Sequence, residues 1–129
     1  MDRTRPRIAV LDDETQFCKA LARLLKTHFF DVMTYVDGRA FLADCATRSP
    51  DCLLLDLHMP DLSGFEVLER IATLRIPSFV ITGHDQPGNS ERARALGALN
   101  YFLKPVNESE LLGAIRSVIS HPRSHSVGD

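Results

Sequence analysis

Tryptophan is absent from this chain of 129 residues, and its three cysteines, Cys18, Cys45 and Cys52, show no C-x-x-C spacing. An odd number of thiols set in apolar or helical patterns argues against a disulfide framework, so they are expected to be reduced and mostly buried. Long apolar runs are missing too. The stretch from 52 to 55 falls far short of the roughly 18 residues that a membrane span needs. The charges of residues 1 to 7 are followed by no apolar core long enough for an export signal, and a cytoplasmic location is expected. Nor does one sign of charge dominate. Fifteen Lys and Arg against 17 Asp and Glu leave a formal net charge of -2, which gives no bulk attraction to nucleic acid or to an anionic membrane. With no basic stripe and no second helical domain, direct binding of nucleic acid is not expected. Function must come from a local site.

What is present is a regular alternation, in a chain sized for one ordinary domain. "RIAVLDD" (7 to 13) is strand-like, and residues 14 to 29 switch to helical spacing through Phe17, Leu21, Leu24, Leu25 and His28. Strand chemistry returns at 31 to 37, and Asp37 can cap a helix reaching about residue 48. "DCLLLD" (51 to 56) is a continuous apolar run of the kind buried on both faces. A helix over 64 to 74, a strand over 76 to 82 and a short helix over 90 to 96 closed by Gly97 follow. The last pair is a strand over 99 to 104 and a helix over 107 to 120, with Asn107 and Glu110 placed as a capping box. Five strand-helix units in succession require crossovers, which are right-handed and usually helical, so the fold class is α/β, a doubly wound parallel sheet. The polar residues 122 to 129 are expected to be a flexible tail or the stub of a linker.

In open parallel sheets the site lies beyond the carboxyl ends of the strands, where the strand order reverses. The chemistry-bearing residues collect there: Asp12 and Asp13 after the first strand, Asp56 after the third, Thr82 ending the fourth and Lys104 ending the fifth. Three crowded carboxylates without a partner would cost several kcal/mol in a partly dry pocket, so a cation is implied. With no Cys or His to complete a soft ligand set, hard oxygen ligands favour Mg²⁺, with Mn²⁺ as the alternative. A hydroxyl, the Lys104 ammonium and a divalent ion around one carboxylate suit a phosphoryl group moving to Asp56, which is then the nucleophile. In "LLLDLHMPDLSG" (53 to 64) the leucines anchor the strand in the sheet, and the loop after it frees the carboxylate for attack.

The segments "LDDE", "LLLDLHMPDLSGFEVLERI", "ITGHDQP" and "YFLKPV" together resemble the response-regulator receiver domain of two-component signalling, in its order and at its spacing. The resemblance covers nearly the whole chain, with residues 1 to 121 as the receiver domain, and is nearest to receivers of the FixJ type. It implies a flavodoxin-like five-stranded sheet of order 2-1-3-4-5 with five helices. It also implies Asp56 as phosphoacceptor, Asp12 and Asp13 as magnesium carboxylates and the backbone carbonyl of His58 as a further metal ligand. Thr82 becomes the switch hydroxyl, Lys104 the phosphate-binding lysine, Tyr101 the switch aromatic, and Lys104 to Pro105 a cis peptide. The implied partners are a sensor histidine kinase, an output domain or downstream protein that acts in transcription, and a second copy of the chain in a phosphorylation-dependent homodimer. The chain departs from the pattern at Pro87, Gly88 and Asn89, where the fourth helix usually begins with better helix formers, and at Asn100, where an acidic residue is common.

Plainer roles stand beside these. Either acid of the Asp12, Asp13 pair could be a helix cap, and Asp56 a turn residue, but a cap and a turn explain neither Thr82 nor a Lys that ends a strand before Pro. Tyr101 could be ordinary strand packing. His58 and His84, each two residues beyond a site residue, are either exposed loop histidines or groups that tune the life of an acyl phosphate. A haloacid-dehalogenase-type phosphatase would want an acid two residues after its nucleophile, where this chain has His58. A phosphorylation-independent interaction module would be expected to lack an acid, the Thr or the Lys, and all are present. The responsive face is expected on the fourth helix, fifth strand and fifth helix, with Arg92, Leu96, Tyr101, Leu111 and Ile115 as candidates.

Overall fold

Short aliphatic runs form five strands: β1 Arg7–Leu11, β2 Asp31–Tyr35, β3 Cys52–Leu55, β4 Ser78–Thr82 and β5 Asn100–Leu103. The computed structural model describes residues 5 to 119, so the expected tail lies outside the described residues. Helices α1 Thr15–Thr27, α2 Gly38–Cys45, α3 Gly64–Arg70, α4 Asn89–Ala95 and α5 Glu108–Ile119 connect and follow the strands. All pairings are parallel, in the order β2-β1-β3-β4-β5. The fold is therefore the expected doubly wound α/β sheet of five strands with five helices.

Side chains alternate across the sheet, and the two faces bury separate clusters. Ala9, Leu11, Leu53, Leu55 and Val80 pack with Phe41, Phe65 and Ala93, which puts α2, α3 and α4 on one side. Ile8, Val10, Leu54 and Ile81 pack with Cys18, Leu25, Leu111 and Ile115, which puts α1 and α5 on the other. Every residue of β3 and β4 is buried, as the continuous apolar runs require. The three thiols are free and buried.

Some expectations are corrected. Leu111 and Ile115 are fully buried beneath the sheet and cannot belong to a responsive surface, because the apolar stripe of α5 is spent on the core. The exposed apolar residues of that edge are Leu99 and Leu103, each about half exposed. The helix expected over 64 to 74 ends at Arg70 and continues as a 3-10 turn, Ala72–Leu74, closed by Arg75 in the left-handed region at φ 56°. At α5 only half of the expected capping box forms: Asn107 Oδ1 accepts the Glu110 N–H at 2.9 Å. A complete box stands instead at α3, where Ser63 Oγ accepts the Glu66 N–H and Glu66 Oε1 accepts the Ser63 N–H. Gly88 precedes α4 with φ 88°, a conformation that glycine adopts without strain.

Candidate functional site

The chain leaves β1 for β2 on one side and later returns to place β3 on the other, so the strand order reverses between β1 and β3. Leu11 and Leu55 are register partners, and the Asp56 N–H donates to the Leu11 carbonyl at 3.0 Å. The next residues of the two strands, Asp12 and Asp56, therefore lie side by side at the carboxyl edge. Both are buried, at 1% and 5% exposure, while Asp13 is exposed at the rim. One carboxylate oxygen of each of the three lies within 4.8 Å of the others.

Asp56 is held by its own loop. Its Oδ1 accepts the Leu57 N–H at 2.8 Å and, at the long distance of 3.4 Å, that of His58. Among the described residues no hydrogen-bond donor reaches Oδ2. Gly64 makes this arrangement sterically possible, since a Cβ there would sit 2.2 Å from the Asp56 carbonyl oxygen.

Lys104 crosses from the end of β5 to the acids of β1. Its Nζ lies 2.8 Å from Asp12 Oδ2 and 2.6 Å from Glu14 Oε1, with the ammonium 4.2 Å from the centre of the Phe17 ring. Glu14 is a site residue that sequence reasoning missed. It reads as the opening of a helix, and its only sequence signal is its place next to the acidic pair. The Lys104 contact to Asp12 is an ion pair out of line for a hydrogen bond, so Asp12 Oδ2 is buried without a directed donor. Burial raises the Asp12 pKa above the ordinary carboxylate value, with Asp56 adding to it, against the lowering effects of Lys104 and the Glu14 N–H. Desolvation works against the Lys104 charge, yet the carboxylates of Asp12 and Glu14 beside it leave its pKa raised.

The remaining residues sit around this group. Thr82 is fully buried, and its Oγ1 accepts the His84 N–H at 3.2 Å. Tyr101 is half-buried on β5, packed against the core cluster that contains Val80 and Ala93, with its hydroxyl donating to Asp85 Oδ1 at 2.8 Å. The His58 and His84 rings meet edge to face at 5.1 Å, and His58 Nε2 lies 3.1 Å from the His84 carbonyl oxygen. The Lys104 to Pro105 bond is cis. The structure thus brings Asp12, Asp13, Asp56 and Lys104 together, with Thr82 buried at the end of β4 and joined through the His84 N–H to the paired histidines.

The acidic group fits a hard cation. Three carboxylates converge on a space where the described cation, Lys104, is already shared with Glu14, and one buried oxygen lacks a directed donor.

Residues 8 to 116 match the family described as response regulator receiver domain. Response regulator protein TmoT of Ectopseudomonas mendocina is 35% identical over 114 residues, 87% of this chain and 52% of that protein. Transcriptional regulatory protein FixJ of Rhizobium meliloti (strain 1021) is 34% identical over 116 residues, 88% of this chain and 57% of that protein. A CheY-like response regulator receiver domain protein from Methanospirillum hungatei JF-1 superimposes with a TM-score of 0.84 at 28% identity, covering 88% of this chain and 93% of that one. The chain spans about half the length of the curated relatives it matches. With the reversal of strand order, the acidic edge and the family match in agreement, the chain belongs to the response regulator receiver domain family.

Proposed function

We propose that this chain is the phosphoacceptor of a two-component system, taking a phosphoryl group from a sensor histidine kinase onto Asp56. The observation that carries the proposal is the pairing of a buried Asp56, whose Oδ2 is left without a donor, with Asp12, Asp13 and Lys104 at one sheet edge. Asp12, Asp13, the Asp56 carboxylate and the His58 backbone carbonyl would hold Mg²⁺, or Mn²⁺ in its place. When bound, the ion supplies positive charge for the oxygens of the incoming phosphoryl group and screens the three acids from one another.

The chain's own residues do the rest. Asp56 Oδ2 forms the new bond to phosphorus as the bond from phosphorus to the kinase histidine nitrogen breaks, and the electron pair leaves with the imidazole. The Leu57 N–H holds Oδ1, which fixes the carboxylate plane for that attack. Lys104 Nζ, now on Asp12 and Glu14, and the Thr82 hydroxyl become partners of the phosphoryl oxygens. His58 and His84 sit where they control water's approach to the acyl phosphate. The phosphoryl group adds about two negative charges, drawing Thr82 inward and admitting Tyr101 to the space it leaves. The α4, β5 and α5 face then controls a partner, an output domain of transcriptional type or a second copy of the chain. The setting is the cytoplasm; among the described residues no helix is long and apolar enough to cross a membrane. Residues 1 to 121 serve as the receiver unit.

Borohydride trapping tests the assignment of Asp56. After treatment with acetyl phosphate and Mg²⁺, reduction converts an aspartyl phosphate to homoserine. The peptide spanning 53 to 64 is expected to carry that change at position 56. Homoserine at another acid, or at none, refutes the assignment.

A further inference from the structure

The segment 83 to 88 between β4 and α4 is exposed, yet it is tied at two consecutive residues to three different parts of the fold. The His84 N–H donates to Thr82 Oγ1 at 3.2 Å, and the His84 carbonyl oxygen lies 3.1 Å from His58 Nε2 on the loop after β3. Asp85 Oδ1 accepts the Tyr101 hydroxyl of β5 at 2.8 Å. Thr82 and Tyr101, the two side chains assigned above to the switch, are thus both engaged by this segment.

We propose that Asp85 is a positioning residue that holds Tyr101 outward in the resting state, with His58 steadying the same segment, and so sets how readily the site accepts a phosphoryl group. The inference rests on the phosphoacceptor reading given above. Asp85 is exposed at the rim, and moving the Tyr101 ring into the space beside Thr82 would carry its hydroxyl off this carboxylate. On this proposal the bond belongs to the outward state alone. An interaction available to one state alone weakens any ligand that selects the other, by the factor through which it shifts the equilibrium. The phenol is a sound donor at neutral pH, since burial and then the Asp85 bond push its pKa up to about 12. A hydrogen bond to a charged but solvent-screened acceptor corresponds to roughly three- to tenfold in that equilibrium.

Beryllofluoride with Mg²⁺ mimics the phosphoryl group, and its affinity can be followed by titrating the fluorine resonance of the bound form. Asp85→Ala is expected to bind it roughly three- to tenfold more tightly than the unaltered chain, while Asp85→Asn, whose amide oxygen still accepts, falls nearer to it. In a Tyr101→Phe background Asp85→Ala should bring no further gain, an outcome that a merely structural role of Asp85 would not produce. Because the chain has no tryptophan, tyrosine emission should also rise in Asp85→Ala without ligand, as the carboxylate quencher of Tyr101 is removed. Unchanged affinity in Asp85→Ala, or a gain that persists in full without the Tyr101 hydroxyl, overturns the clamp while the phosphoacceptor reading stands. An unaltered chain that binds no beryllofluoride overturns that reading and the clamp with it.

Discussion

At Gly64 the backbone has no room for a side chain. A Cβ would lie 2.2 Å from the Asp56 carbonyl oxygen and 2.8 Å from Leu57 Cα, both backbone atoms that cannot rotate aside. Gly64→Ala must push the start of α3 away from the loop that orients Asp56, and is expected to lower stability by at least about 2 kcal/mol in urea unfolding. A midpoint within error of the unaltered chain would show that the loop yields without cost. At this scale the acids, Thr82 and Lys104 were legible because each ends or follows a strand, and strand ends of a parallel sheet converge whatever their separation in sequence. Glu14 was not legible, since its bond to Lys104 spans 90 residues and depends on where one flexible side chain crosses the edge. The tie between Tyr101 and Asp85 was hidden for the same reason: periodicity places a residue on a face but does not choose its partner.

Among the elements, α3 depends most on its first turn. It has seven residues, and its opening N–H groups are met by the reciprocal bonds of Ser63 and Glu66. Ser63→Ala should cost about 1 kcal/mol of stability, and, because Gly64 follows directly, should loosen the loop between Asp56 and the helix. Urea unfolding measures the first effect; a loss indistinguishable from zero would show that Glu66 or water replaces the cap. The elements themselves were legible from apolar spacing, and β3 and β4 most plainly, since strands buried on both faces admit few polar residues. Boundaries were less so. The left-handed Arg75 that ends the turn after α3 is not a residue type that announces such a conformation. The apolar stripe of α5 showed that the helix has a buried face, but not that Leu111 and Ile115 are wholly used by it.

Across the whole molecule, three thiols and two phenols resist ionisation, Cys45 among them with its pKa raised by burial. Burial, the first cause in each case, raises Cys18 from 9.0 to about 11 and Cys52 from 9.0 to about 12, and Tyr35 and Tyr101 from 10.0 to about 12. A folded-state pKa above the unfolded value contributes stability that is complete below the unfolded value and lost as pH rises through the folded one. The urea midpoint is therefore expected to fall steadily from pH 9.0 to about 12. A midpoint that holds level across that window would mean that these groups ionise in the fold as freely as in the open chain.

The central claim, that this fold delivers Asp56 to a cation-assisted phosphoryl transfer, is met most directly by intact mass. The unaltered chain and Asp56→Asn would each be treated with acetyl phosphate, in Mg²⁺ and in excess EDTA. A single phosphoryl adduct is expected on the unaltered chain in Mg²⁺ alone, and none on Asp56→Asn. A folded chain with no adduct in any condition, or an adduct that survives in Asp56→Asn, would contradict it.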